Sequence, residues 1–292
     1  RRSSDLEWIP GKGNLQKAKV YRPTVTSKVP VIKPKTKRKN ILFVVCDDLN
    51  THVSSSGYKN ISTPNLTKLA EESITFNRAF CQYPVCGPSR ASFLSGLYPQ
   101  STGVLNNTFD IRKTRPGTIS MPQFFKQNGY WTAGVGKVFH NTKSDHGDMA
   151  WHENLRFDND ELAVVREARV KFESEYGSID KQPNKKKWKE IQKQVSAKLN
   201  AQTPPGKGRS GLRDDQHKDG KNARQIVQWL ENKSYGDKPF FISLGLQKPH
   251  VPFLAPDKYF DLYPFDKITY QNDRPNLWDF LPSSALSKRY EA

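Results

Sequence analysis

Residues 86–92 read Cys-Gly-Pro-Ser-Arg-Ala-Ser and offer one sulfur beside one fixed cation. Pro88 restricts the backbone, Ser89 is a good helix N-cap, and apolar residues at helical spacing begin with Phe93, Leu94 and Leu97. A nucleophile at the mouth of a helix meets outward-pointing N–H groups and a dipole that favours anions. Arg90 adds a planar fork suited to a tetrahedral oxyanion. An inert core thiol is the competing reading of Cys86. A phosphatase-type thiolate loop would need an arginine six positions after the cysteine, where Ser92 stands. Three further clusters carry chemistry. Asp47-Asp48 is a pair of adjacent carboxylates that repel unless a cation is near, and a hard dication with oxygen ligands suits them. A solvated Asp-Asp-Leu-Asn turn is the alternative. Lys137 and His140 pair a compact cation with a group that moves protons near neutral pH, and Lys248 with His250 repeats the combination.

Elements must bring these residues together. Ile41-Leu42-Phe43-Val44-Val45-Cys46 is a continuous apolar run, which predicts a strand buried on both faces of a parallel sheet, ending at Asp47. Thr63-Pro64 opens a short helix, with Thr63 as cap. Residues 74–80 read as a strand leading into the Cys86 loop, 120–128 as a helix closed by Gly129, and 130–135 as a strand leading to Lys137. A helix with Ala223, Ile226, Val227 and Leu230 on one stripe precedes a buried strand over 239–246, which runs into Lys248 and His250. Alternating helices and strands predict an α/β fold with a mostly parallel central sheet sandwiched by helices. Four strand ends then deliver Asp47-Asp48, Cys86 with Arg90, Lys137 with His140, and Lys248 with His250 to the ligand-binding edge of such a sheet.

These motifs together resemble the type I sulfatase family, within the alkaline-phosphatase-like fold. Cys86-Gly87-Pro88-Ser89-Arg90 matches the signature Cys-x-Pro-Ser-Arg, and Ser95-Gly96-Leu97-Tyr98-Pro99 extends it. Gly136-Lys137-Val138-Phe139-His140 and Lys248-Pro249-His250-Val251-Pro252-Phe253 look like elements of the iduronate-2-sulfatase subgroup. The resemblance implies that Cys86 is oxidised to formylglycine by a maturation enzyme, and that Asp47, Asp48 and the modified Cys86 bind calcium. One hydroxyl of the aldehyde hydrate would attack sulfur and the other would later expel sulfate. Arg90 and Lys137 would steady the hydrate, His140 would take its proton, and Lys248 and His250 would hold sulfate, with His250 as acid for the leaving group. The implied substrate is a sulfated carbohydrate, with a 2-O-sulfated uronic acid as the subgroup's suggestion. Alternatives are a phosphonate or phosphate ester hydrolase of the same superfamily, and an inactive polyanion-binding fragment. The family's later Asp-His or Asp-Asn metal pair has no counterpart before Ala292, so the fold is expected to be incomplete at the C-terminus. Asp145-His146-Gly147 has the wording of that pair but lies in a polar loop, and reads as coincidence.

Composition bounds the rest. The chain has 292 residues, 35% of them hydrophobic, enough for a sizeable core. A net charge of +18 suits polyanionic partners, or else reflects solvated tails. Residues 1–40 form a basic, Pro-rich arm, read as extended; a nucleic-acid tail is its alternative, and no nucleic-acid partner is expected. Residues 41–292 are the catalytic domain, with a Lys-rich insertion at about 151–211 that contains two amphipathic helices and a closing loop. Three cysteines imply no disulfide framework, and no apolar run is long enough to span a membrane. Sequons at Asn60, Asn65, Asn106 and Asn232 permit a secreted glycoprotein. A secreted, periplasmic or lysosomal location is expected.

Overall fold

The structure is a computed structural model, and it describes residues 38–141, 145–157, 163–179, 181–202 and 207–268. Most of the basic arm therefore lies outside the described residues. Contacts divide the chain into two units: 1–47, 79–158 and 221–247 form the first, and 48–78, 159–220 and 248–292 the second.

The first unit is built on a four-stranded sheet. Its strands are β1 (Ile41–Cys46), β2 (Trp131–Gly136), β3 (Glu153–Leu155) and β5 (Phe240–Leu246), in the order β1-β5-β2-β3, all parallel. Around it are α2 (Cys86–Ser95), α3 (Pro99–Thr102), α4 (Ile111–Thr114), α5 (Met121–Gln127) and α8 (Lys218–Glu231), whose first turn, up to Gly220, falls in the second unit. The predicted α/β class and parallel sheet are therefore observed.

Alternation along β5 explains the two core layers. Phe240, Ile242 and Leu244 point to one face and pack with Trp131, Ala133 and Val135 against Ile226 and Trp229 of α8. Phe241 points to the other, where it meets Leu94 of α2, Phe139 and Trp151, and stacks on Phe125 of α5 at 4.4 Å between ring centres. Each such side chain removed from water contributes roughly 1.5–3 kcal/mol.

The strands differ from expectation in three ways. Among the described residues β1 is an edge strand, buried on one face only: Ile41 and Phe43 join the Phe241 cluster, whereas Leu42 and Val44 are 50% and 47% exposed. The α8 cluster covers β5 and β2 and contains no β1 residue. Residues 74–80 form no strand; Ile74, Phe76 and Phe80 are exposed, because no strand among the described residues pairs with them. β3, inside the stretch read as an insertion, pairs with β2 through Ala133 and Glu153. The buried face of α8 is also rotated from the predicted stripe: Asn222, Ile226 and Trp229 are buried, and Val227 is half exposed.

The second unit contains α1 (Pro64–Glu71), α6 (Ala163–Tyr176), α7 (Asn184–Gln202) and α9 (Asp257–Asp261), with a two-stranded parallel sheet of β4 (Lys207–Arg209) and β6 (Phe253–Ala255). Thr63 precedes α1 as predicted, but its hydroxyl accepts from the Ser54 amide rather than capping the helix. α6 and α7 pack through Val165, Phe172, Ile179 and Trp188, so both predicted amphipathic helices bury an apolar stripe and leave Lys171, Lys185, Lys189 and Lys193 in water. β4 lies where a loop was predicted over 203–211.

Candidate active site

Two parallel strands flanking β5 end side by side in the first unit. The Asp47 amide donates to the Leu246 carbonyl at 3.1 Å and the Lys137 amide to the Gly245 carbonyl at 2.9 Å. The close approach depends on glycine. A Cβ on Gly245 would lie 2.1 Å from the Lys137 carbonyl carbon, and Gly136 holds φ +79°, where a Cβ would meet the Gly245 oxygen at 2.2 Å. Only a backbone stripped at both positions lets Lys137 cross the end of β5.

The crossing puts Lys137 on Asp47. The Lys137 ammonium bonds one carboxylate oxygen, and Arg90 Nη2 bonds the other at 2.7 Å. Arg90 is 3% exposed, and its Nη1 donates to the Lys137 carbonyl and, at 2.8 Å, to the Val138 carbonyl. Its fork therefore ties α2 to the segment after β2. Burial raises the cost of ionising Asp47, but the hydrogen bonds and charges of Lys137 and Arg90 outweigh it, and its carboxyl is held below the usual range.

Cys86 arrives by a different route from the one expected. It is the first residue of α2, not the end of a strand, and Val85 rather than Ser89 occupies the cap position. Pro88 is tolerated because the first-turn amides have no intrahelical acceptor. An oxygen of Asp47 and the Cys86 sulfur lie within 4.8 Å of one another. Asn107 holds the turn: its Oδ1 accepts from the Gly87 amide at 2.8 Å and its Nδ2 donates to the Cys86 sulfur at 3.6 Å. A Cβ at position 87 would sit 2.7 Å from that Oδ1, so the glycine admits the asparagine. Asn107 escaped the sequence reading, which noted only the sequon at Asn106 beside it.

His140 stands close enough to this cluster to feel its charges. Burial, followed by repulsion from Lys137 and Arg90, pushes its pKa below the ordinary imidazole value. Its imidazole is therefore held toward the neutral form. Asp145, read in the sequence as a coincidental match to a metal motif, is engaged in local bonds. Asp145 accepts from Trp151 Nε1 at 2.8 Å and Asn154 Nδ2 at 2.7 Å, with Arg156 at 3.7 Å.

The remaining predicted residues belong to the second unit. Asp48 has φ +61°, a left-handed conformation that Asp tolerates better than most residues, and its carboxylate lies 3.9 Å from His250 Nε2. His250 Nδ1 donates to the Val251 carbonyl at 2.7 Å, which leaves Nε2 toward Asp48. The Lys248 amide donates to Asp219 at 2.8 Å and its ammonium to the Pro252 carbonyl. The structure thus groups Asp47, Cys86, Arg90, Lys137 and His140 in one unit, and Asp48, Lys248 and His250 in the other.

Comparison with known proteins places this geometry. A sulfatase of Formosa agariphila is 36% identical over 252 residues, covering 81% of this chain and 45% of its own. Human iduronate 2-sulfatase is 32% identical over 252 residues, covering 85% and 42%. The chain thus spans less than half the length of these relatives. The phosphonate monoester hydrolase of Agrobacterium radiobacter shares the fold, with a TM-score of 0.53 at 19% identity over 78% of this chain and 44% of that one. The family model described as Sulfatase matches residues 39–290, nearly the whole sequence, and the chain belongs to the sulfatase family.

Proposed function

We propose that this protein hydrolyses sulfate monoesters, with a sulfated carbohydrate as substrate. The observation that carries the reading is the first-unit cluster: a cysteine sulfur at a helix N-terminus, within 4.8 Å of a carboxylate that two cations clamp. The likeness to iduronate 2-sulfatase favours a 2-O-sulfated uronic acid.

The donor set fits formylglycine at Cys86, since Asn107 Nδ2 already points a donor at the atom that an oxygen would replace. That group supplies a hydrated aldehyde, with one hydroxyl as nucleophile toward sulfur and a second whose oxygen can re-form the aldehyde and release sulfate. Conversion needs a maturation enzyme as partner. Lys137 and Arg90 keep Asp47 ionised and hold positive charge beside position 86, where sulfuryl oxygens gain charge. His140, held toward the neutral form, removes a hydroxyl proton. His250 protonates the departing alcohol, and Lys248 holds a sulfate oxygen.

Calcium is less well served. It takes about 6–8 oxygens. Among the described residues of the first unit, the metal-binding oxygens proposed are those of Asp47, both already hydrogen-bonded to cations. Asp48 adds a carboxylate, and the total remains short.

A basic arm to residue 40, then a catalytic domain with a Lys-rich insertion at about 151–211, fits this function. So does a secreted, periplasmic or lysosomal location. No helix among the described residues is long and apolar enough to cross a membrane. The test is twofold. Mass spectrometry of the Cys86 peptide, from protein made beside a maturation enzyme, is expected to show the aldehyde. Turnover of an aryl sulfate is expected to exceed that of the matching aryl phosphate or phosphonate, and to vanish in Cys86→Ala. An unmodified thiol, or faster phosphonate turnover, overturns the reading. Heparin retention that persists without Cys86, Asp47 and Asp48, in protein that turns over no ester, would favour a polyanion-binding protein instead.

A further inference from the structure

A small cavity lies behind the Cys86 cluster, entirely within the first unit. Its volume, traced by the centre of a water molecule, is about 20 Å³. Leu94, Val104 and Phe139 form much of its wall. Five polar residues also line it: Arg90, Ser95, and the trio Ser120, His140 and His146 that concerns the void most. Each of that trio carries one buried atom with no hydrogen-bond partner among the described residues, namely Ser120 Oγ, His140 Nδ1 and His146 Nε2. These are three of eight such atoms among the described residues, and the three residues line one void. Ser120 and His146 are 2% and 4% exposed.

Three orphaned polar atoms in a mostly apolar pocket are costly. Each buried polar group without a partner costs roughly 1–3 kcal/mol. A buried water needs about 10–15 Å³ of such space and two to four polar partners, and this cavity offers both. Local bonding also sets the polarity. His146 Nδ1 bonds Gln123 Oε1 at 3.1 Å, so Nδ1 carries the proton and the unpartnered Nε2 keeps a lone pair. The ring is held in place by stacking on Phe139, 5.3 Å between centres.

We propose that one buried water fills this cavity, donating to His146 Nε2 and accepting from His140 Nδ1–H, with Ser120 Oγ as third partner, and that His146 thereby acts as a positioning residue for His140. Which imidazole nitrogen keeps its lone pair is decided by the bond the other one makes. With Nδ1–H committed to the water, Nε2 of His140 is the basic atom. This part rests on the reading of His140 as a base; the water site itself does not.

Two kinds of measurement on the full protein test it. A high-resolution crystal structure is expected to show one ordered water within hydrogen-bonding distance of all three atoms, and ¹⁵N NMR to show protonated Nδ1 on both histidines. An empty cavity, or a proton on Nε2 of His140, overturns the proposal, whatever the protein hydrolyses. The kinetic arm compares His146→Phe, which keeps the shape and the stack, with His146→Gln, whose amide reaches the Nε2 position. On an aryl sulfate, kcat is expected to fall about tenfold in H146F at unchanged KM, and by less in H146Q. Equal losses in the two variants, or a loss confined to KM, overturn the positioning role. Absence of all turnover by the parent protein would instead refute the proposed function, and the density and NMR results would still decide the water.

Discussion

Asp47 shows how much of this site is a property of three charges rather than one residue. Its carboxylate is buried, yet held below the ordinary carboxyl range because Lys137 and Arg90 bond its two oxygens. Removing the negative charge leaves two cations without their counter-ion, one of them 3% exposed. Breaking one partner of a buried ion pair typically costs about 3–5 kcal/mol. Asp47→Asn is therefore expected to lower stability by an amount of that order, read by urea unfolding, as well as to abolish turnover. A change under 1 kcal/mol would show that water reaches Arg90 and that the clamp is weak. Cys86 and Arg90 were legible in the sequence because the signature fixes their types and spacing. Asn107 was not, since a residue 21 positions from Cys86 becomes its neighbour only through the loop after α3.

At the scale of elements, the end of β5 is where the fold positions the chemistry. Gly245→Ala would place a methyl 2.1 Å from the backbone of Lys137, which no rotamer can relieve. The expected outcome is displacement of Lys137 from Asp47: turnover lost and the folded state weakened by several kcal/mol, a large value of the kind reserved for backbone clashes in a core. Circular dichroism and aryl sulfate turnover on the purified variant would check it; wild-type activity would mean that the crossing is loose. The sheet supplies a second contrast. Phe241 is 1% exposed between two aromatic neighbours, whereas Val44 is 47% exposed on β1. Phe241→Ala is expected to cost about 3–5 kcal/mol and Val44→Ala under 1 kcal/mol, measured by denaturant midpoint at constant slope.

For the whole molecule, the buried titratable groups point in one direction with pH. Burial, and then nearby cations, hold His140 and His146 below the ordinary imidazole value. In the folded state they stay neutral while the unfolded chain takes up protons near pH 6.5, so their contribution is present above that pH and lost below it. Asp47 behaves alike at lower pH: its folded value is depressed, so its stabilisation is full above about pH 3.9 and disappears as pH falls further. The melting temperature is expected to fall in two stages on acidification, the first beginning near pH 6.5. His146→Gln should shrink the first stage, and a flat profile from pH 7 to 5 would contradict the buried state of both histidines.

What the amino-acid order determined alone were features carried by local rules. Apolar runs gave β1, β2 and β5, proline and glycine marked α1 and the end of α5, and contiguous motifs named Cys86, Lys137, His140 and His250 as chemistry-bearing. Tertiary structure decided what depends on partners. Residues 74–80 read as a strand but find none among the described residues to pair with, and β1 is apolar throughout yet covered on one side. The same holds for the site: Arg90 reads as a fork awaiting an anion, and folding commits it to Asp47 and two carbonyls. Pattern reports what a segment can do by itself, whereas burial, ion pairing and cavities belong to groups that only the folded chain makes neighbours.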